Sequence, residues 1–254
     1  MTLVLNEIHV VKGLSNSVVI AAADRRITKQ DGSYDSTRRK LFDVPSLNAT
    51  VSYFGLATVY PKGRLEYLSS WLPNFIRNNA DAASMEDFAG RLRDALHKVV
   101  PRPTLRGAPS GFHISGFASD GSPDFWFLTN VGGISGFSYT KLRDRYGKPR
   151  SDFLGRDASA KLGWDGTNPT SIKSGACLYR NGDFRAHALG AEHIDRMLAG
   201  FFTFPDFARP GTAIEYGRLV KFRLEVLAYV YQKWARKKII ARPIDVIVRS
   251  EGVR

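Results

Sequence analysis

Apolar and polar positions along the chain fall into blocks of different period. Thr2 to Val11 is rich in β-branched residues and Val18 to Asp24 is apolar again, with turn formers "KGLSNS" between them. This pattern predicts a hairpin with a loop of several residues. Lys40 to Val44 and Ala49 to Leu56 predict a second strand pair, broken by "DVPSLN", in which Pro45 stops the first strand. The period then becomes helical. Gly63 to Asn78 places Leu65, Leu68, Leu72, Phe75 and Ile76 on one face, Trp71 broadens it, and Pro73 predicts a kink or a split. A second helix begins after Ser84, an N-cap with Asp87 three residues on, and runs through Phe88, Leu92, Leu96 and Val99. "PRPTLRGAP", Pro101 to Pro109, reads as a Pro-rich loop.

Strand signals resume with "FHISGFAS" and "PDFWFLTNV", a hairpin whose turn "DGS" centres on Gly121. Ser138 to Ser174 is polar and basic, with eight Lys or Arg against four Asp, and predicts a long surface insertion. "ACLYRNGDFRAHAL" predicts a hairpin around Asn181-Gly182, and Ala191 to Phe201 a short helix. Thr212 to Lys238 predicts a long helix. Leu219, Phe222, Leu224, Val226, Leu227, Val230 and Trp234 nearly encircle it, which implies substantial burial. "PIDVIVRS" is a final strand. Runs of strands alternating with runs of helices predict an α+β chain. Two antiparallel sheets with helices outside would bury strands on both faces, which explains why Val18 to Ala23 is apolar without alternation. The chain reads as one domain, 1–254, with a polar basic insertion at about 138–174.

The net charge of +13 and pI near 10.0 admit nucleic acid or an anionic surface as partner. The basic residues are scattered, however. The densest cluster, "QKWARKK" at Gln232 to Lys238, sits at a helix end, where cations suit the helix dipole. A nucleic-acid site is therefore disfavoured, and a basic nucleic-acid-binding protein is the weakest functional alternative. Cys177 is the only cysteine, so no intramolecular disulfide forms, and a cytoplasmic setting is the simplest reading. No apolar run approaches the ~18 residues of a membrane span. "MTLVLNEIHVV" lacks a basic n-region, so it reads as a strand and not as a signal peptide. His9, His97, His113, His187 and His193 lack metal-ligand spacing, and no Gly-rich phosphate loop follows a strand. No cofactor or metal is expected.

The chemistry concentrates at Asp24 and Lys40. Asp24 ends the apolar run Val18 to Ala23, and Lys40 opens another. A charge at such a strand end is costly unless paired. One reading is a structural ion pair between strands. The other needs a nucleophile beside them. A threonine at a free N-terminus can use its own α-amino group as base, and a lysine held by an aspartate lowers the pKa of hydroxyl and amine alike. Thr2 meets that need once Met1 is removed.

Thr2 in "TLVL", Asp24, Arg26 and Thr28 in "AADRRIT", Lys40 in "RRKLF" and Gly55 in "SYFGLA" together resemble the proteasome β-subunit family of N-terminal nucleophile (Ntn) hydrolases, in its bacterial proteasome-related branch. "HISGFASDGSPDFWFL" and "RPIDVIVRSEG" resemble later family strands, so the resemblance covers most of the chain. It implies a four-layer α-β-β-α sandwich. It also implies Thr2 as nucleophile with its α-amine as base, Asp24 and Lys40 as charge relay, the Gly55 amide as oxyanion donor, and Thr28 pairing with the substrate backbone as an added strand. The implied activity is a threonine-type peptidase or amidohydrolase acting on peptide or unfolded protein. The implied assembly is a homo-oligomer, served by an ATPase unfoldase as is common in the family. Two departures stand out. Thr2 and Asp24 lie 22 positions apart, more than the family shows, although a hairpin lengthened at its turn keeps its proximal register. The supporting serine and aspartate are also missing: "ARKKIIARP" occupies the last helix–strand junction, and no serine precedes the helix at "ALGAEHID". A non-catalytic scaffold or binding module of the same fold is the alternative.

Overall fold

The computed structural model describes residues 3–10, 17–29, 31–136, 138–151, 175–183 and 185–250. The first predicted hairpin forms: β1 (Leu3–Val10) pairs antiparallel with β2 (Val18–Asp24), Val4 opposite Ala23 and His9 opposite Val18. Two short strands follow, β3 (Ile27–Thr28) and β4 (Tyr34–Asp35), paired with each other. The second predicted pair also forms, as β5 (Leu41–Val44) and β6 (Ala49–Phe54), joined by a 3-10 turn at Pro45–Leu47.

The first helix begins later than its apolar pattern predicts. Residues 58–67 form a small hairpin of β7 (Thr58–Val59) and β8 (Glu66–Tyr67), and helix α1 spans Leu68–Asn78. Lys62 and Gly63 take positive φ, 51° and 76°, in a 3-10 turn, and Arg64 and Tyr67 are extended, so the α-helix cannot begin before Leu68. Helix α2 (Met85–Val99) starts as predicted, with Ser84 Oγ accepting from the Asp87 N–H at 3.1 Å; Asp87 in turn accepts from the Ala83 N–H. Pro101 to Pro109 is not a plain loop: α3 (Arg102–Gly107) lies within it, and Pro103 is tolerated in the first turn, whose N–H groups have no intrahelical partner.

β9 (Gly111–Phe117) and β10 (Pro123–Thr129) form the predicted hairpin. β11 (Val131–Ser135) pairs with β12 (Ser138–Leu142), and β13 (Arg150–Ser151) pairs with β10. The start of the predicted surface insertion is thus tied into sheet structure, while its residues 152–174 lie outside the described residues. β14 (Gly175–Gly182) is a single strand and not a hairpin. Asn181 and Gly182 stay in register with β1, opposite Val4 and Leu3, so the turn falls after them. A π-helical turn at Ala186–Ala191 leads into α4 (Glu192–Phe201). α5 (Ala213–Trp234) carries a full capping box of Thr212 and Glu215. β15 (Ile244–Ser250) closes the chain order.

The strands build a four-stranded sheet, β14-β1-β2-β15, and a five-stranded sheet, β13-β10-β9-β6-β5, all antiparallel. Leu68, Leu72, Phe88, Leu92 and Leu96 of α1 and α2 pack on Val51, Phe112, Ile114 and Leu128 of the five-stranded sheet. Val220, Leu224 and Leu227 of α5 pack on Leu3, Leu5, Ile20 and Ala22 of the other. Val4, Ala21 and Ala23 meet Leu41 and Phe54 between the sheets, and Ile8 and Val19 meet Phe117 and Phe125. Strand alternation therefore buries both faces of β1 and β2. The expected burial of α5 is only half realised. Its Gly217, Val220, Leu224 and Ala228 are buried, but Phe222, Tyr229, Val230 and Trp234 are exposed, Trp234 at 71%. Among the described residues no helix is long and apolar enough to cross a membrane.

Charged side chains are also drawn inward. Glu7 on β1 is buried, with His9 Nε2 at 2.8 Å and the Arg223 guanidinium of α5 against its other oxygen. Arg223 reaches on to Asp195 at 2.6 Å, which also holds Arg180 at 2.8 Å. Burial pushes the Glu7 pKa up, but the His9 hydrogen bond and the Arg223 charge outweigh it and hold the carboxyl below its usual range.

Candidate active site

β2 delivers Asp24 to the end of the four-stranded sheet, completely buried. Its Oδ1 accepts from the Leu3 N–H at 2.8 Å and from Lys40 Nζ at 3.1 Å, and its Oδ2 accepts from the Arg26 N–H at 3.0 Å. Three donors, one of them charged, make a buried carboxylate tenable. Lys40 precedes β5 and is 3% exposed; its ammonium also donates to the Arg26 carbonyl. Burial lowers the Lys40 pKa, the Asp24 carboxylate opposes that, and the Arg26 charge adds to the lowering. The net direction is down, so the amine releases a proton more readily than a solvated lysine. Arg26 is itself fixed, with Nε donating to Ser36 Oγ at 3.0 Å and Nη1 to the Lys238 carbonyl at 2.8 Å.

The structure brings Asp24 and Lys40 together and sets Gly55 and Thr28 beside them. A cavity of about 70 Å³ is lined by Arg26, Ile27, Thr28, Lys40, Tyr53, Gly55, Leu56 and Ala57. Gly55 follows β6 with φ +79°, and a Cβ there would fall 1.8 Å from the Pro109 carbonyl oxygen. Only glycine fits that turn. Tyr53 is held over the cavity by its hydroxyl, which donates to the Arg39 carbonyl at 3.1 Å. Thr28 is exposed on the two-residue strand β3, paired with Tyr34 of β4. Thr2 lies outside the described residues. Its chain neighbour Leu3 stands between the Asp24 carboxylate and, across the ladder, Gly182 of β14. A larger open groove of about 410 Å³ between α1 and α2, lined by Trp71, Phe75 and Lys98 among others, shares no residue with this cavity.

Sequence reasoning misses two residues beside the start of β1. Asp183, directly after Gly182, is buried and its Oδ1 accepts from the Arg185 and Ala186 N–H groups at 2.9 and 3.3 Å. Tyr139, which lies in the stretch that reads as surface insertion, packs with Val4, Ala23, Leu41 and Phe54 between the sheets. Asp183 caps the helical turn that follows it, a local signal, whereas only tertiary pairing places Tyr139. The segment 235–243 supplies no serine or aspartate; it contributes the Lys238 carbonyl to Arg26 and buries Ile240 and Ala241.

A buried polar chain runs behind the site. Ser115 Oγ donates to Asn6 Oδ1 at 2.7 Å, the Asn6 amide meets His113 Nδ1 at 2.7 Å, and His113 Nε2 meets the Asn181 amide at 2.8 Å. Burial pushes the His113 pKa down to about 3 and that of His187 down to about 4. Both folded values lie below the unfolded value, so the unfolded chain takes up these protons first. Their contribution is complete above about pH 6.5 and is lost as pH falls toward about 3. Between about pH 6 and 5, the stability measured by urea unfolding should therefore fall as the unfolded chain takes up both protons and the folded chain does not. Stability that stays flat down to pH 5 would contradict the buried, neutral state of both rings.

No family model matches the chain, and no curated protein matches it. Solved structures do. Anbu (ancestral beta-subunit) from Yersinia bercovieri aligns with a TM-score of 0.48 at 10% identity, covering 97% of this chain and 81% of that one. Eukaryotic HslV from Trypanosoma brucei aligns with a TM-score of 0.36 at 12% identity, covering 97% of this chain and 98% of that one.

Proposed function

We propose that this chain is an N-terminal threonine hydrolase of the proteasome β type, built as a four-layer α-β-β-α sandwich and cleaving amide bonds through an acyl-enzyme on Thr2. The observation that carries the reading is the buried Asp24 carboxylate, which gathers the Leu3 N–H and the Lys40 ammonium at the head of β1. A structural ion pair would suffice to join β2 to β5. It would not need to grip the backbone amide that follows Thr2, nor to open onto a cavity lined by a glycine with positive φ.

The chemistry follows from these positions. The α-amine freed by loss of Met1 takes the proton from Thr2 Oγ as the oxygen attacks the substrate carbonyl. The Lys40 charge favours the alkoxide, and the Gly55 N–H receives the oxyanion. Collapse breaks the C–N bond, the proton passes to the leaving amine, and water then hydrolyses the ester. The substrate is a peptide or unfolded protein laid along β3 at Thr28. A homo-oligomer would sequester the site, with an ATPase unfoldase feeding it.

Lys40→Met and Asp24→Asn should each cut hydrolysis of a peptide amide by about 10²-fold or more, on the general scale of lost transition-state electrostatics. The double variant should be little worse than either, because the two act as a unit. Strictly additive losses would separate the side chains functionally and remove the basis of the reading. The second reading, a non-catalytic scaffold, is favoured by the absence of serine and aspartate from segment 235–243. It predicts no turnover in the wild type.

A further inference from the structure

We infer that Tyr139 is a positioning residue of this site, fixing the spacing between the head of β1 and the Gly55 turn; the inference rests on the hydrolase reading above. Its hydroxyl accepts from the Gly182 N–H at 3.1 Å and donates to Asn181 Oδ1 at 3.1 Å. Gly182 is the ladder partner of Leu3 and takes φ +106°, where β14 leaves the sheet. The other face of the contact is aromatic. The Tyr139 ring stacks on Phe54, with centroids 5.9 Å apart and planes at 14°, and Phe54 directly precedes Gly55. One side chain thus touches the strand end beside the nucleophile's neighbour on one sheet and the residue before the oxyanion donor on the other.

The hydroxyl is itself anchored. Asn181 leads to His113, Asn6 and Ser115 through the buried polar chain. The phenol is protonated at neutral pH and keeps its donor role, and burial pushes its pKa further up, to about 12. Nucleophile and oxyanion donor must be held to within ~0.5 Å for efficient attack, and a misplacement of ~1 Å can cost ~10²-fold. A plain core filler would explain the ring but not the hydroxyl, which satisfies a backbone N–H at the strand end. The two roles separate in one substitution. Tyr139→Phe keeps the stack on Phe54 and removes only the hydrogen bonds.

The test is steady-state hydrolysis of acetylated tripeptide aminocoumarin amides by the full chain, with thermal unfolding in parallel. Tyr139→Phe should lower kcat by about tenfold or more while KM stays within about twofold and the unfolding midpoint stays near that of the wild type. Asn181→Ala, which releases the hydroxyl from its anchor, should lower kcat in the same sense. Wild-type kcat in Tyr139→Phe would overturn the inference and leave the hydrolase reading standing. A kcat loss matched by a collapse of thermal stability would make the hydroxyl merely structural and overturn it as well. No turnover by the wild type would overturn both.

Discussion

Thr2→Ala should abolish peptide hydrolysis, by at least about 10³-fold in kcat, the general scale for removal of a catalytic nucleophile, while thermal stability stays nearly unchanged. The two halves of this expectation have separate causes. Activity depends on the hydroxyl, which alone can carry the acyl group. Stability at this end of β1 depends on other groups: Asp24 accepts from the Leu3 N–H, and the Leu3 and Leu5 side chains are buried against α5. Neither contact uses the side chain at position 2. Thr2→Ser should retain part of the activity, because serine keeps both the hydroxyl and the α-amine. Turnover in Thr2→Ala equal to the wild type would exclude Thr2 as nucleophile, and a large loss of stability would mean that its side chain holds the strand.

Arg223→Ala should be the most destabilising single truncation of a charged residue outside the site. It strips the guanidinium from Glu7, which is 1% exposed, and from Asp195. His9 remains on one Glu7 oxygen, and the other is left buried without its charge partner. Breaking a buried pair in this way costs about 3–5 kcal/mol, or roughly 6–20 °C in Tm for a chain of this size. The cost reflects the stranded carboxylate more than the pair's own worth. Adding Glu7→Gln should therefore recover much of the loss, and the two substitutions should be non-additive in urea unfolding. A loss under about 1 kcal/mol, the scale of exposed ion pairs, would show that Glu7 is reached by water in solution.

The site is legible in the sequence to the extent that its residues punctuate apolar runs. Asp24 and Lys40 announce themselves because each is a charge at the edge of an apolar run, and the register of β1 on β2 follows from one hairpin. The Ser84 cap is local and is equally plain. What the sequence conceals is decided by distant partners. Asn181-Gly182 has the composition of a hairpin turn, yet β1 pairs with β14 through both residues and keeps them in strand. Tyr139 stands in a basic, polar stretch whose average character predicts solvent, and only the approach of Phe54 and Gly182 makes it half-buried. The apolar residues around α5 cannot say which of them face a neighbour. Leu224 and Leu227 are buried and Phe222 and Trp234 are exposed because a single sheet lies along one side. The start of α1 is lost for the opposite reason: Leu65 continues the helical pattern, but Glu66 and Tyr67 pair with Thr58 and Val59 and hold the backbone extended up to Leu68.

The central claim is that the Asp24–Lys40 pair serves a nucleophile at position 2. Its most direct test is intact-mass and fragment-mass analysis of the purified full-length chain after incubation with a peptidyl electrophile. The account predicts a chain lacking Met1 that carries one adduct, located on Thr2 by fragmentation and strongly reduced in Lys40→Met. A chain that lacks Met1 yet takes up no adduct, or an adduct on any residue other than Thr2, would contradict it.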